Sequence, residues 1–186
     1  IINAWMPAAL SSLKLGEGNG FSKRIANGRM WGMEAGMIEL LDSTLRDGAQ
    51  AEGITFSVED KIKILLALDQ LGIPYVEAGN PTSNPKDLEF FQRARALQLQ
   101  QTKLVAFGST RRRDCRVEED PFVADLLLAC TPAVSIFGKS WDFHVTDIIQ
   151  TTLEENLAMI EDTIRYVREQ GRDVIFDAEH FFDGYK

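Results

Sequence analysis

From residue 38 onward, short apolar runs alternate with segments of helical period, and this alternation restricts the fold more than any other feature of the sequence. Met37-Ile38-Glu39-Leu40-Leu41-Asp42 reads as a strand. Ser57 then caps a helix with acids in its first turn, apolar positions at Ile62, Leu65, Leu66 and Leu68, and Gly72 as its stop. Tyr75-Val76-Glu77-Ala78 is the second strand. A helix over 85–99 follows, with Leu88, Phe90, Phe91 and Leu97 as its buried stripe. Lys103-Leu104-Val105-Ala106-Phe107 is the third strand, and Pro121 opens a helix running to about Cys130. Ala133-Val134-Ser135-Ile136-Phe137 is the fourth strand. Thr151 or Thr152 caps a long helix through Gln170, and Val174-Ile175-Phe176-Asp177-Ala178 is the fifth strand. Strands separated by single helices pair in parallel through right-handed crossovers, so the chain is α/β. A doubly wound open sheet and a (β/α)8 TIM barrel share this signature. On the barrel reading, the segment is a barrel truncated to about five strands and four helices.

Residues 1–36 are different in kind. Glycines at 16, 18, 20, 28, 32 and 36 break every apolar period, and the chain begins with Ile1. This segment is expected to be an irregular leader, either an upstream extension or artefact outside the native fold, or a poorly ordered arm. Residues 37–186 are expected to form the N-terminal part of a single α/β domain, a TIM barrel on the barrel reading. The chain of 186 residues, 45 % apolar and 26 % charged, is long enough for one core. Its net charge of −8 argues against nucleic acid and anionic membranes as partners. Arg111-Arg112-Arg113 is read as a solvated charge run. Cys115 and Cys130 are too few for a disulfide framework and match no zinc spacing. With no membrane-length apolar run and no secretory signal, a cytoplasmic location is expected.

Reactive side chains collect after the carboxyl ends of the strands. Arg46 and Asp47 follow the first, and Asn80 follows Glu77 at the end of the second. Ser109, Thr110 and Arg111 follow the third, Lys139, Asp142 and His144 the fourth, and Glu179 and His180 the fifth. In a barrel these ends converge on one mouth, whereas an open sheet concentrates function at one crevice, so the dispersion favours the barrel. Asp42-Ser43-Thr44-Leu45-Arg46-Asp47-Gly48 lacks the glycine spacing of a dinucleotide site and the lysine of a P-loop, and no G-x-S-x-G elbow is present. Arg46-Asp47 taken alone reads as a surface ion pair. A carboxylate is also a hard ligand for a divalent ion, and the adjacent guanidinium suits a developing oxyanion.

Leu41-Asp42-Ser43-Thr44-Leu45-Arg46-Asp47-Gly48-Ala49-Gln50 resembles the first-strand signature of the DRE-TIM metallolyases. That superfamily includes 2-isopropylmalate, homocitrate and citramalate synthases and hydroxymethylglutaryl-CoA lyase. Gly48 to Gly53, Ala106 to Arg112, Ile136 to Trp141 and Phe176 to Tyr185 are similar to the citramalate synthase branch. The resemblance spans residues 38–186. It implies an acyltransferase that condenses acetyl-CoA with pyruvate to citramalate and CoA, in isoleucine and branched-chain amino-acid biosynthesis. 2-Isopropylmalate synthesis, acyl-CoA lysis or an inactive fragment are the alternatives.

By the same resemblance, Asp47 is a ligand of a divalent metal ion (Mg, Mn or Zn) and Arg46 polarises the keto oxygen. Gln50 helps place the 2-oxo acid, Glu179 takes part in proton transfer or positions acetyl-CoA, and Glu77 stands near the metal side of the mouth. Glu77 has a second reading, a carboxylate paired with a base inside the barrel. His144 is a candidate contact for substrate or CoA phosphates, and Lys139 is read as a solvated loop residue. An extended chain would aim Glu179 and His180 in opposite directions, with Glu179 toward the mouth. The family's two metal-binding histidines occur in an H-x-H-type motif. The only histidines here are His144 and His180, outside any such motif, so the segment alone is expected to be inactive. The full-length enzyme is expected to be a homodimer.

Overall fold

A computed structural model describes residues 39–185, so the leader at 1–36 and the first two residues of the first expected strand lie outside the described residues. Five strands form one parallel sheet in the order β1-β2-β3-β4-β5. They are β1 (Leu41–Asp42), β2 (Tyr75–Glu77), β3 (Lys103–Ser109), β4 (Ala133–Lys139) and β5 (Asp173–Glu179). Between them lie α1 (Val58–Gln70), α2 (Pro85–Ala94), α3 (Pro121–Leu128) and α4 (Leu153–Glu169), with a short α5 (Phe181–Gly184) after β5. A doubly wound sheet reverses its strand order, and this one does not. Strands that add in sequence in one direction are those of a TIM barrel.

The local sequence explains the helix starts. Ser57 and Asp60 form a reciprocal capping box on α1, and Asn84, Asp120 and Thr152 cap α2, α3 and α4. Pro85 and Pro121 stand at first helical positions, where no amide hydrogen bond is lost.

Some boundaries and burials differ from the sequence expectation. α2 ends at Ala94 rather than 99, because the next turns tighten to three-residue spacing: Ala96 N–H reaches Arg93 O and Leu97 N–H reaches Ala94 O. α3 ends at Leu128, and Cys130 adopts φ 54°. On α1, Leu66 is exposed, whereas Lys61 is only 4 % exposed. The Lys61 ammonium donates to Ala78 O (2.8 Å) and Asp87 Oδ1 (2.5 Å), and Asp87 Oδ2 accepts the Asn80 N–H (2.9 Å). Gly79 is required here: its φ is +150°, and a Cβ would lie 2.4 Å from the Asp87 carboxylate.

Register and the two-residue pleat divide the sheet into two faces. Val76, Leu104, Ala106, Val134 and Ile136 turn toward the helices and join Leu65, Phe90, Phe91, Val123, Leu126 and Val167 in the core. Gly108 lets Leu126 of α3 close in, and Gly138 lets Ile160 of α4 do the same. The opposite face carries Glu77, Phe107, Ser109, Phe137, Lys139, Asp177 and Glu179 toward its carboxyl end. Arg111 corrects the expectation of a solvated arginine run. It is 6 % exposed, its guanidinium binds Glu155 and Asp162 of α4, and its N–H donates to Thr163 Oγ1. Arg112 pairs with the fully buried Asp120. Among the described residues, no helix is long and apolar enough to cross a membrane.

Asp69 closes the connection from α2 to β3 by accepting the backbone N–H groups of Gln100, Gln101 and Thr102. These bonds, led by Gln100, hold its carboxyl below the usual aspartate range. A depressed folded value contributes stability above the unfolded value of about 3.9 and loses it as pH falls through the folded one. Asp69→Asn is therefore expected to unfold at lower urea than the parent at pH 7, with the difference shrinking below pH about 4. A difference independent of pH would refute the ionic origin.

Candidate active site at the carboxyl ends of the strands

β3, β4 and β5 each run further than their apolar cores suggest, through Ser109, Lys139 and Glu179. These residues are therefore strand residues whose direction the pleat fixes, and Lys139 is not in a solvated loop. Its side chain is 20 % exposed, its ammonium pairs with Glu179, and it lies 5.5 Å from the Phe137 ring centroid.

Arg46 sits in the turn after β1 and organises the other side of the mouth. Its Nε donates to Glu77 Oε2 at 2.6 Å, and its Nη1 to Asp47 Oδ1 at 3.1 Å. Its guanidinium carbon stands 4.0 Å from the centroid of Phe107, which stacks on Phe137 at 5.2 Å. Glu77 is 2 % exposed and so is engaged as a partner of Arg46, the pairing that was one of its two readings. The Asp47 side chain is 44 % exposed at the rim. Two carboxylates and a ring therefore hold one cation in a single orientation.

Asp177 was missed as a site residue. It lies two positions before Glu179, on the same face by strand period, so a charge inside an apolar strand was the available signal. Burial raises its pKa most; Arg46 opposes this, and Glu179 and Asp47 push the same way as burial. Phe107 was read only as a strand residue. The neighbour it meets comes from a turn about sixty residues earlier, which no local pattern reports.

The remaining expected residues are placed differently. Gln50 is exposed on a 3-10 turn over Gly48–Gln50. His144 opens a π-helical turn (His144–Ile148), and its ring packs against His180 at 4.4 Å and Trp141 at 5.0 Å. Among the described residues, His144 Nδ1 is buried with no hydrogen-bond partner. The extended geometry assumed for Glu179 and His180 holds only as far as Glu179. The strand stops at Glu179, and His180 turns into the left-handed region (φ 57°, ψ 35°), where its Nδ1 meets Asp183 Oδ2 at 3.1 Å.

A groove of about 550 Å³ opens beside the mouth, and Arg112, Arg113, Phe122, Lys139, Ile149 and Met159 are among its lining residues. A smaller pocket of about 220 Å³, between Arg116, Glu118 and the Arg165 side of α4, lies apart from the strand ends. Among the described residues, no three histidine, cysteine or acidic side chains are grouped to hold a metal ion. Asp47 offers one hard oxygen donor, and the described residues do not complete a coordination sphere.

Charged and polar side chains gathered at the carboxyl ends of a sequentially ordered parallel sheet define a TIM-barrel protein. The HMGL-like family matches residues 37–184, and the chain belongs to that family. It is 58 % identical over 149 residues to an (R)-citramalate synthase of Aquifex aeolicus, an alignment covering 80 % of this chain and 28 % of the relative. It is 57 % identical over 147 residues to an (R)-citramalate synthase of Synechocystis, covering 79 % and 27 %. The chain thus spans about a quarter of the length of these curated relatives. Among solved structures, hydroxymethylglutaryl-CoA lyase from Pseudomonas aeruginosa superposes with a TM-score of 0.55 at 22 % identity, over 74 % of this chain and 44 % of that one. At that identity the likeness shows the fold alone.

The Arg46–Glu77 pair makes a stability prediction. Arg46→Met leaves a nearly inaccessible carboxylate unpaired and is expected to cost about 3–5 kcal/mol. Adding Glu77→Gln removes that charge and should recover most of the loss, as read from urea denaturation of the four proteins in the cycle. Equal unfolding midpoints for Arg46→Met and the parent would refute the pairing.

Proposed function

We propose that this segment belongs to an acyltransferase that condenses acetyl-CoA with pyruvate and releases citramalate and CoA. The observation that carries the reading is the Arg46 guanidinium, fixed by Glu77, Asp47 and Phe107 on the sheet face that also presents Glu179. In this reading Glu179 takes a proton from the methyl group of the thioester. The enolate carbon attacks the keto carbon, and negative charge gathers on the keto oxygen beside Arg46, whose orientation is already set and need not be reorganised. That oxygen takes up a proton. Water then cleaves the thioester, giving the free acid and the CoA thiol.

The groove mixes Arg112 and Arg113 with Phe122, Ile149 and Met159, which suits a ligand with an apolar arm and a phosphate-bearing end. The relatives at 58 % and 57 % identity are (R)-citramalate synthases, which favours pyruvate over a bulkier 2-oxo acid. Asp47 is assigned one oxygen contact to a divalent ion, and no step above is routed through that ion.

CoA release by the complete enzyme, measured separately with pyruvate, 2-oxoisovalerate and 2-oxoglutarate, tests the reading. Pyruvate is expected to give the highest kcat/KM. A preference for 2-oxoisovalerate would assign 2-isopropylmalate synthesis, and cleavage of a hydroxyacyl-CoA without condensation would assign a lyase. Asp47→Asn is expected to weaken manganese binding by about tenfold or more in calorimetry. Unchanged affinity would remove Asp47 from the ligand set.

A further inference from the structure

We infer that Lys139 is a positioning residue that holds the Glu179 carboxylate in place for proton transfer at the acyl-CoA methyl group, an inference resting on the role proposed for Glu179. Lys139 and Glu179 are register partners at the carboxyl ends of β4 and β5, so their side chains leave the same face side by side. Their charged ends are in contact, with the Glu179 side chain 37 % and the Lys139 side chain 20 % exposed.

Both backbones at this point are anchored. The amide of Asn156, a buried side chain of α4, donates to Lys139 O at 3.0 Å, and Ser140 N–H donates to Glu179 O at 3.2 Å. Phe137, two residues back on the same face, has the Lys139 Nζ over its ring. A partly exposed ion pair contributes little to stability, so this anchoring is more than a stabilising contact requires.

The neighbouring charges explain what the ammonium does. Asp177 stands two residues before Glu179 on the same face, and the two carboxylates repel. Arg46 attracts Asp177 from one side, while Lys139 holds Glu179 on the other. Lys139 also lines the groove assigned above to the acyl-CoA. The ammonium thus keeps Glu179 at the boundary between that groove and the mouth, where a carboxylate left without it would turn into water.

The test is a double-variant cycle in the complete enzyme with acetyl-CoA and pyruvate. Lys139→Met is expected to lower kcat by about tenfold or more, with KM for acetyl-CoA within about threefold and an unchanged melting temperature. Lys139→Arg should restore most of kcat. Glu179→Gln alone should be severely impaired, and adding Lys139→Met to it should cost nothing further, because the lysine acts through a carboxylate that is no longer there. The inference is overturned by a kcat for Lys139→Met within twofold of the parent, by additive losses in the double variant, or by an effect confined to KM, which would make Lys139 a CoA contact. Full activity of Glu179→Gln would overturn the role proposed for Glu179, and the inference with it. An impaired Glu179→Gln beside a fully active Lys139→Met would overturn the inference alone.

Discussion

The contact between Arg46 and Glu77 joins the turn after β1 to the end of β2, and the geometry of the mouth depends on it. A carboxylate that is 2 % exposed has no water to solvate it, so it is tolerable only with a cation in place. The requirement runs both ways. A guanidinium held by Glu77 and Asp47, and resting on Phe107, cannot turn away to solvent without abandoning a buried charge. The orientation that would serve a developing oxyanion is the one in which the folded chain satisfies its own electrostatics.

A second buried network supports the first from behind. Lys61 and Asp87 bring α1 and α2 to the carbonyl of Ala78 and the amide of Asn80, one and three residues after Glu77. Gly79 between them accepts the Phe107 N–H, so the segment that carries Glu77 is also tied to the strand that carries the ring under Arg46. On the far side, Arg111 and Asn156 fix the ends of β3 and β4 to α4. Helices on one face of the sheet thereby locate charges on the other. Small residues make this possible, since Gly108 and Gly138 let α3 and α4 approach the strands closely.

Much of this was legible in order but not in contact. Helix starts at Ser57, Pro85, Pro121 and Thr152 follow from capping chemistry within four residues, and the structure has them. Strand ends were less legible, because β3, β4 and β5 continue through polar residues once their neighbours supply parallel hydrogen bonds. Lys139 and Arg111 were read as solvated for a related reason: a charged side chain looks exposed until its partner, 40 or 44 residues further along, is known. His180 shows the opposite limit, where a single left-handed residue ends the extended geometry on which strand period relies.

The sequence by itself determined the α/β alternation, the capped helices, the apolar strands and the clustering of reactive residues after each strand. Those are properties of neighbours in the chain, governed by periodicity and by hydrogen bonds that close within a turn. Only the tertiary structure decided that the strands add in one unreversed order, that Glu77 meets Arg46, that Asp177 shares a face with Glu179 in a half-buried setting, and that Lys139 holds Glu179. Each of these is a matter of charge and desolvation between residues that register and packing bring together, and neither register nor packing exists until the sheet has formed.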